Sequence, residues 1–216
     1  MQAKIPSSCY SRRNEVIVDE GYIKYACDLT IAQAPDSIYS SKLNNWRTRL
    51  HKHQMIGEYE DGISYGNVSR RFLSETFIVS GSATGRQAEL SPADYVLVTE
   101  FNVKANTLSA KGLISPSSES LTHGIIYKTL PEVKWVLHIH NTAIWRSYIN
   151  ILPTTATHVP YGTPEMALEV KRLILASAPN SSQVLIMGGH QDGVIAYGAN
   201  LDSVGQQLLD LILAKP

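Results

Sequence analysis

Val133-Lys134-Trp135-Val136-Leu137-His138-Ile139-His140-Asn141 is an apolar run that closes on two histidines one residue apart. In a strand, side chains at i and i+2 leave the same face. The run therefore reads as a buried strand that sends both imidazoles out together at its end. Two convergent imidazoles are half of a zinc-type site. His190 lies at another predicted strand end and Glu119 just upstream, so the chain reads as a metal enzyme.

Working outward from this strand, the second half of the chain alternates helix and strand. Ser117 to about Leu130 reads as a helix opened by serine, and Thr142 to about Ile149 as another. Thr163-Pro164-Glu165 is a strong helix start, with a threonine cap, proline at the first helical position and an acid in the first turn. That helix runs to about Ala176. Gln183–Met187 and Val194–Tyr197 read as strands joined through Gly188-Gly189-His190-Gln191-Asp192-Gly193, and Leu201–Ala214 as the last helix. In the first half, Asp36 caps a helix to about Gln54 that carries Leu43, Trp46 and Leu50 at helical spacing. Short β-type runs follow at 63–72, 77–79 and 95–98, punctuated by Gly62, Gly66, Ser80-Gly81 and Pro92-Ala93-Asp94. The fold class is α/β, with helices covering a largely antiparallel sheet. Residues 1–35 lack clean periodicity and read as an N-terminal extension packing on a domain of residues 36–216.

The 216 residues carry a formal net charge of +0, which gives no electrostatic reason for nucleic acid or an anionic membrane surface to bind. No apolar run reaches the ~18 residues of a membrane span, and no signal segment is visible. The two cysteines, Cys9 and Cys27, form no disulfide framework or metal motif, and reduced thiols in a cytoplasmic protein are expected.

Catalytic zinc takes about three protein ligands and leaves a position for water or substrate. His138 and His140 supply two, and His190, in its glycine-rich connection, is the preferred third. On spacing alone, His-x-His also suits a chance pair on a half-exposed strand. Glu119 has two readings: a first-turn acid favoured by the helix dipole, or an acid/base beside the metal with its pKa tuned toward neutrality by burial and nearby charge. Ser64-Tyr65-Gly66-Asn67-Val68-Ser69, Ser80-Gly81-Ser82 and Ser117-Ser118 combine small residues with hydroxyl or amide groups. Backbone N–H groups in such turns and at a helix start suit phosphate.

Taken in order, Ser64…Gly66-Asn67-Val68-Ser69, Ser80-Gly81, Pro116-Ser117-Ser118-Glu119…His123…Tyr127, His138-Ile139-His140, Pro160-Tyr161-Gly162-Thr163…Glu165-Met166-Ala167 and His190…Gly193 resemble the class II aldolase/adducin family over residues 40–215. The resemblance implies a three-layer α/β/α fold with a mainly antiparallel central sheet. It also implies a homotetramer with sites between subunits, and a divalent metal, most often Zn2+, held by three histidines. By position, His138 and His140 correspond to the first two ligands, Glu119 to the acid/base, and Ser64, Asn67, Ser80, Gly81, Ser117 and Ser118 to a phosphate pocket. The implied activity is a lyase of aldolase type working through an enediolate on a small phosphorylated sugar or hydroxy-ketone. A dehydratase or epimerase of the same family, or a non-catalytic adducin-like interaction domain, is the alternative. Two features depart from the pattern. Around Gly189-His190-Gln191-Asp192-Gly193 the spacing from histidine to glycine differs, so strict register puts Asp192 forward as an alternative third ligand. Between Asn141 and Gly162 the chain is short, and the loop that carries a catalytic tyrosine in the aldolases is absent. Tyr148 and Tyr161 are nearby and read as packing residues.

Overall fold

The computed structural model describes residues 22–177 and 183–214. Of the N-terminal extension, residues 1–21, Cys9 among them, therefore lie outside the described residues, while Cys27 is a half-buried free thiol. The described part of the extension contains a strand absent from the sequence reading, β1 (Ala26–Ile31), which runs parallel to β7 (Thr107–Gly112). Its burial alternates only weakly, because one edge of it stays open to solvent, and this hides the strand from pattern reading.

Helix α1 (Ser37–Lys52) begins where its cap predicts: the Asp36 side chain accepts the Ile38 N–H at 2.9 Å, and Leu43, Trp46 and Leu50 are buried. The run at 63–72 is not one strand. Gly66, at φ +75°, breaks it into β3 (Ser64–Tyr65) and β4 (Asn67–Arg71). β3 instead pairs with β2 (Gly57–Glu58) as a separate small hairpin. Next come β5 (Phe77–Ser80), a 3-10 turn at Pro92–Asp94, β6 (Tyr95–Asn102) and β7. The second half supplies α2 (Ser120–Thr129), β8 (Trp135–His140), α3 (Thr142–Tyr148), α4 (Pro164–Ala176), β9 (Val184–Ile186), β10 (Gly193–Gly198) and α5 (Leu201–Leu213). The main sheet has the order β1-β7-β6-β5-β4-β8-β10-β9, and every pair but β1·β7 is antiparallel. Among the described residues no helix is long and apolar enough to cross a membrane.

Strand alternation divides the core. Phe77, Val79, Val96, Val98, Val136 and Ile195 pack with Leu121, Ile125, Met166 and Val170 of α2 and α4. Ile78, Leu137, Ile139, Val194 and Ala196 pack with Leu43 and Leu50 of α1, Ile144 of α3, and Leu201 and Leu208 of α5. The sheet thus has helices on both faces, and each fully buried side chain of this size is worth about 1.5–3 kcal/mol of transfer free energy. His138 and His140 share their parity with Val136, so they leave β8 on the α2 side, toward Glu119.

The short connection after α3 has a structural use. Ile186 N–H donates to the Pro153 carbonyl and Thr155 N–H to the Ile186 carbonyl, each at 2.9 Å. This lays the connection along β9 and covers that edge of the sheet. It then crosses directly over Gly188 and Gly189. A Cβ at Gly189 would sit 1.8 Å from the Val159 carbonyl oxygen, and one at Gly188 2.2 Å from that of Thr155. Both obstacles are backbone and must move as a whole. Gly189→Ala is expected to cost about 1–3 kcal/mol through overpacking and to displace His190 next to it. Thermal melts and zinc titration of the variant check this.

Candidate metal centre

Three strand ends meet at one point. His138 and His140 come from the end of β8, and His190 from the turn before β10, whose Gly193 pairs with His140 and Ile195 with His138. One ring nitrogen from each of the three histidines lies within 4.8 Å of the others, and all three side chains are buried. His138 and His140 approach Nε2 to Nε2 at 3.2 Å, and His138 Nδ1 lies 3.2 Å from the Val194 carbonyl. Asp192 is not part of this cluster. Its backbone is left-handed, with φ at +67°; its carbonyl accepts the Asn141 N–H at 2.9 Å, and the residue lines a neighbouring cavity with His53, Tyr59, Tyr65 and His140. The extra residues between His190 and Gly193 are taken up by this left-handed turn, so His190 keeps its place at the strand end.

Glu119 corrects the sequence reading in two respects. Helix α2 starts at Ser120 rather than Ser117, because Ser117–Ser120 form a turn in which the Ser120 N–H donates to the Ser117 carbonyl at 3.0 Å. Glu119 is consequently the residue before the helix, not a first-turn acid, and its side chain makes no capping hydrogen bond. It points instead at the histidines, with Oε2 2.9 Å from His138 Nε2 and Oε1 3.3 Å from His190 Nδ1. The second respect is its charge. Burial alone would raise the Glu119 pKa, but the imidazoles of His138 and His190 outweigh it and hold the carboxyl well below its ordinary range. Glu119 is a carboxylate, not a group tuned to neutrality. The His140 pKa is also pushed well below its ordinary range, by burial and by its two histidine neighbours, so this imidazole stays neutral with a lone pair to give.

These residues fit a cation. The buried carboxylate oxygens make no hydrogen bond of normal geometry, and three buried imidazoles converge beside them. A buried anion beside three converging imidazoles is costly unless positive charge lies among them.

The third imidazole is braced from behind. Tyr161 stacks on His190 with ring centroids 4.1 Å apart, and the Lys24 ammonium sits 3.9 Å over the other side of that stack while donating to the Tyr161 carbonyl at 3.0 Å. Tyr161 is thus a packing residue, as expected, but what it packs is a site histidine. The neighbouring Tyr25 hydroxyl reaches the Pro116 and Ser117 carbonyls at 3.0 and 2.9 Å. The segment before β1 therefore belongs to the wall of the site, which nothing in its sequence indicates.

Beside the cluster lies a polar cleft lined by Ser64, Gly66, Asn67, Gly81, Ser82, Ala83, Thr84, Gly85, Ser117, Ser118, Glu119 and His138. Five of the six candidate phosphate residues line it. Ser80 does not: its hydroxyl accepts the Val68 N–H at 3.1 Å and ties β4 to β5. Residues 82–85 were missed, although they continue the Ser80-Gly81 turn in sequence. Their placement depends on Arg47, only 1% exposed, whose guanidinium donates to the Thr84 carbonyl at 2.7 Å and the Gln87 carbonyl at 2.6 Å. With those carbonyls turned back toward the helix, the loop is fixed against the cleft.

A second buried network lies under Glu119. The Ser69 hydroxyl is 2.6 Å from His123 Nδ1 and 2.7 Å from the Tyr127 hydroxyl. Burial drives the His123 pKa down to about 3, so this imidazole is neutral and structural.

The chain belongs to the class II aldolase and adducin N-terminal domain family, whose model matches residues 57–211. It is 33% identical over 79 residues to the Mycoplasma pneumoniae protein named "Probable L-ribulose-5-phosphate 4-epimerase UlaF", a match spanning 37% of this chain and only 31% of that relative. In fold it is similar to an L-fuculose 1-phosphate aldolase, with TM-score 0.62 and 18% identity over 82% of this chain and 84% of that one. It is also similar to a sugar-phosphate aldolase from Thermotoga maritima, with TM-score 0.61 and 13% identity over 81% and 90% of the two chains.

Proposed function

We propose that the protein is a metal-dependent enzyme that breaks or forms a carbon–carbon bond in a small phosphorylated sugar or hydroxy-ketone. The observation that carries this reading is the buried convergence of His138, His140 and His190 on Glu119, next to a cleft of hydroxyl and amide groups.

The histidines hold the cation, with Zn2+ preferred because three imidazoles suit it. When bound, a divalent cation supplies Lewis acidity that stabilises negative charge developing on adjacent ketone and hydroxyl oxygens in an enediolate. The phosphate enters the cleft, where Ser64, Asn67, Gly81, Ser117 and Ser118 offer hydroxyl, amide and backbone donors. Ser80 contributes by holding β4 and β5 together. Anchoring the phosphate fixes the distance from the reacting carbons to the carboxylate. Glu119, already anionic, accepts a proton from the substrate carbon or hydroxyl and returns it.

The same machinery serves epimerisation and dehydration, and the similarity to a protein named as an epimerase supports that second reading. Product analysis separates them: incubation with L-fuculose 1-phosphate, L-ribulose 5-phosphate and methylthioribulose phosphate is expected to yield cleavage products from one of these. An epimer or a dehydrated ketone as sole product would assign the second reading. No turnover of any, together with absence of bound metal, would move the chain to a non-catalytic adducin-like role.

The expected assembly is a homotetramer, in keeping with Leu168 and Leu175 of α4, which lie one heptad apart and are 45% and 67% exposed. Sedimentation at micromolar concentration tests it, and a monomer would overturn it.

A further inference from the structure

The β2–β3 hairpin, which ends at the Ser64-Tyr65 segment beside the cleft, reaches the metal centre from behind. Its tip residue Tyr59 places a phenolic oxygen 2.7 Å from His140 Nδ1. Both ends of the hairpin are tied to the strand that carries the ligands. Before it, the Met55 carbonyl accepts the His140 N–H at 2.9 Å; after it, Asn67 pairs with His138 in the β4·β8 register. Tyr59 itself is fixed by its N–H to the Ile63 carbonyl at 2.8 Å and by its ring against Tyr65, centroids 4.4 Å apart. Gly57, at the hairpin base, fits so closely that a Cβ there would fall 2.6 Å from the Tyr65 hydroxyl. The contact with His140 is therefore held by backbone pairing on both sides, not by a freely placed surface side chain.

A neutral imidazole has one protonated and one bare nitrogen. His140 Nε2 faces His138 and the centre of the cluster, while Nδ1 faces Tyr59. We infer that Tyr59 is a positioning residue for His140: its phenolic oxygen accepts the Nδ1 proton, fixes the tautomer and leaves Nε2 bare for a divalent cation. The inference rests on the metal-binding reading above. An acceptor behind a ligating imidazole also raises its basicity, and loss of such a partner typically weakens metal binding about 10–100-fold. Tyr65 provides the comparison. Its ring lies 5.4 Å from that of His140, but its hydroxyl donates elsewhere, to the Gln54 carbonyl at 3.4 Å.

The test is titration of the full chain with Zn2+ against a competing chelator, for the wild type, Tyr59→Phe and Tyr65→Phe. Tyr59→Phe is expected to bind about 10–100-fold more weakly, with the melting temperature of its metal-free form unchanged; Tyr65→Phe is expected to bind like the wild type. Equal affinity for wild type and Tyr59→Phe overturns the inference, as does equal weakening in both variants, which would assign the effect to ring packing. Failure of the wild type itself to bind Zn2+ overturns the metal reading instead. Nitrogen NMR of the zinc-loaded wild type with isotope-labelled histidine needs no variant. A His140 protonated at Nδ1 supports the inference, and one protonated at Nε2 overturns it.

Discussion

Glu119→Gln is expected to lower kcat by about 10²–10⁴-fold, the usual contribution of a positioned acid/base, with bound metal retained. Glutamine keeps the shape of the side chain and loses only its charge and basicity. The carboxylate oxygens lie 2.9 and 3.3 Å from nitrogens of His138 and His190, which in the proposed chemistry is the space where substrate meets the cation. Burial is outweighed by the pair of imidazoles, which keeps Glu119 ionised and so without a proton of its own before any substrate arrives. Steady-state kinetics on whichever phosphosugar is turned over, with metal analysis on the same sample, separates the chemical role from a ligand role. A variant within tenfold of wild-type kcat would contradict the assignment. Loss of metal along with activity would make Glu119 a ligand first.

The second large effect is on stability. Three imidazoles and a carboxylate are all at most 3% exposed, and without a cation their desolvation is poorly offset. A ligand that binds only the folded chain stabilises it by about 4 kcal/mol at a free concentration a thousandfold above Kd. For a chain of this length that corresponds to roughly 8–16 °C in melting temperature, at about 2–4 °C per kcal/mol. Calorimetric scans of metal-loaded and chelator-treated protein should differ by that amount, and scans of His138→Ala should not differ at all. Coincident wild-type scans would mean that the cluster is a buried hydrogen-bonding group rather than a cation site.

Much of this arrangement was legible in the sequence, for reasons that differ by residue. His138 and His140 were readable because strand alternation fixes side-chain direction without knowledge of neighbours. The helix α4 start at Thr163 and the α1 start at Asp36 were readable because caps are local chemistry. Helix α2 misled because its three serines all suit a cap, and only the Ser117–Ser120 turn decides which residue stands at the boundary. The ionisation of Glu119 was misjudged because burial and neighbouring imidazoles act in opposite directions, and their balance depends on distances. Tyr59, Lys24 and Arg47 were out of reach in principle, and so was the histidine that Tyr161 packs. Each meets its partner across a long sequence separation, 81 residues for Tyr59 and His140 and 137 for Lys24 and Tyr161, and no local pattern encodes such a contact. His190 lies between: its glycine neighbours were visible, but that Gly189 is required by the Val159 carbonyl needed the fold.

The most direct test of the central claim is elemental analysis of the protein after Zn2+ loading and exhaustive dialysis, beside His140→Ala handled identically. One equivalent of zinc per wild-type chain and none in the variant is the predicted result. A wild-type chain that retains no metal, or a variant that retains as much, would contradict the three-histidine centre on which the proposed chemistry depends.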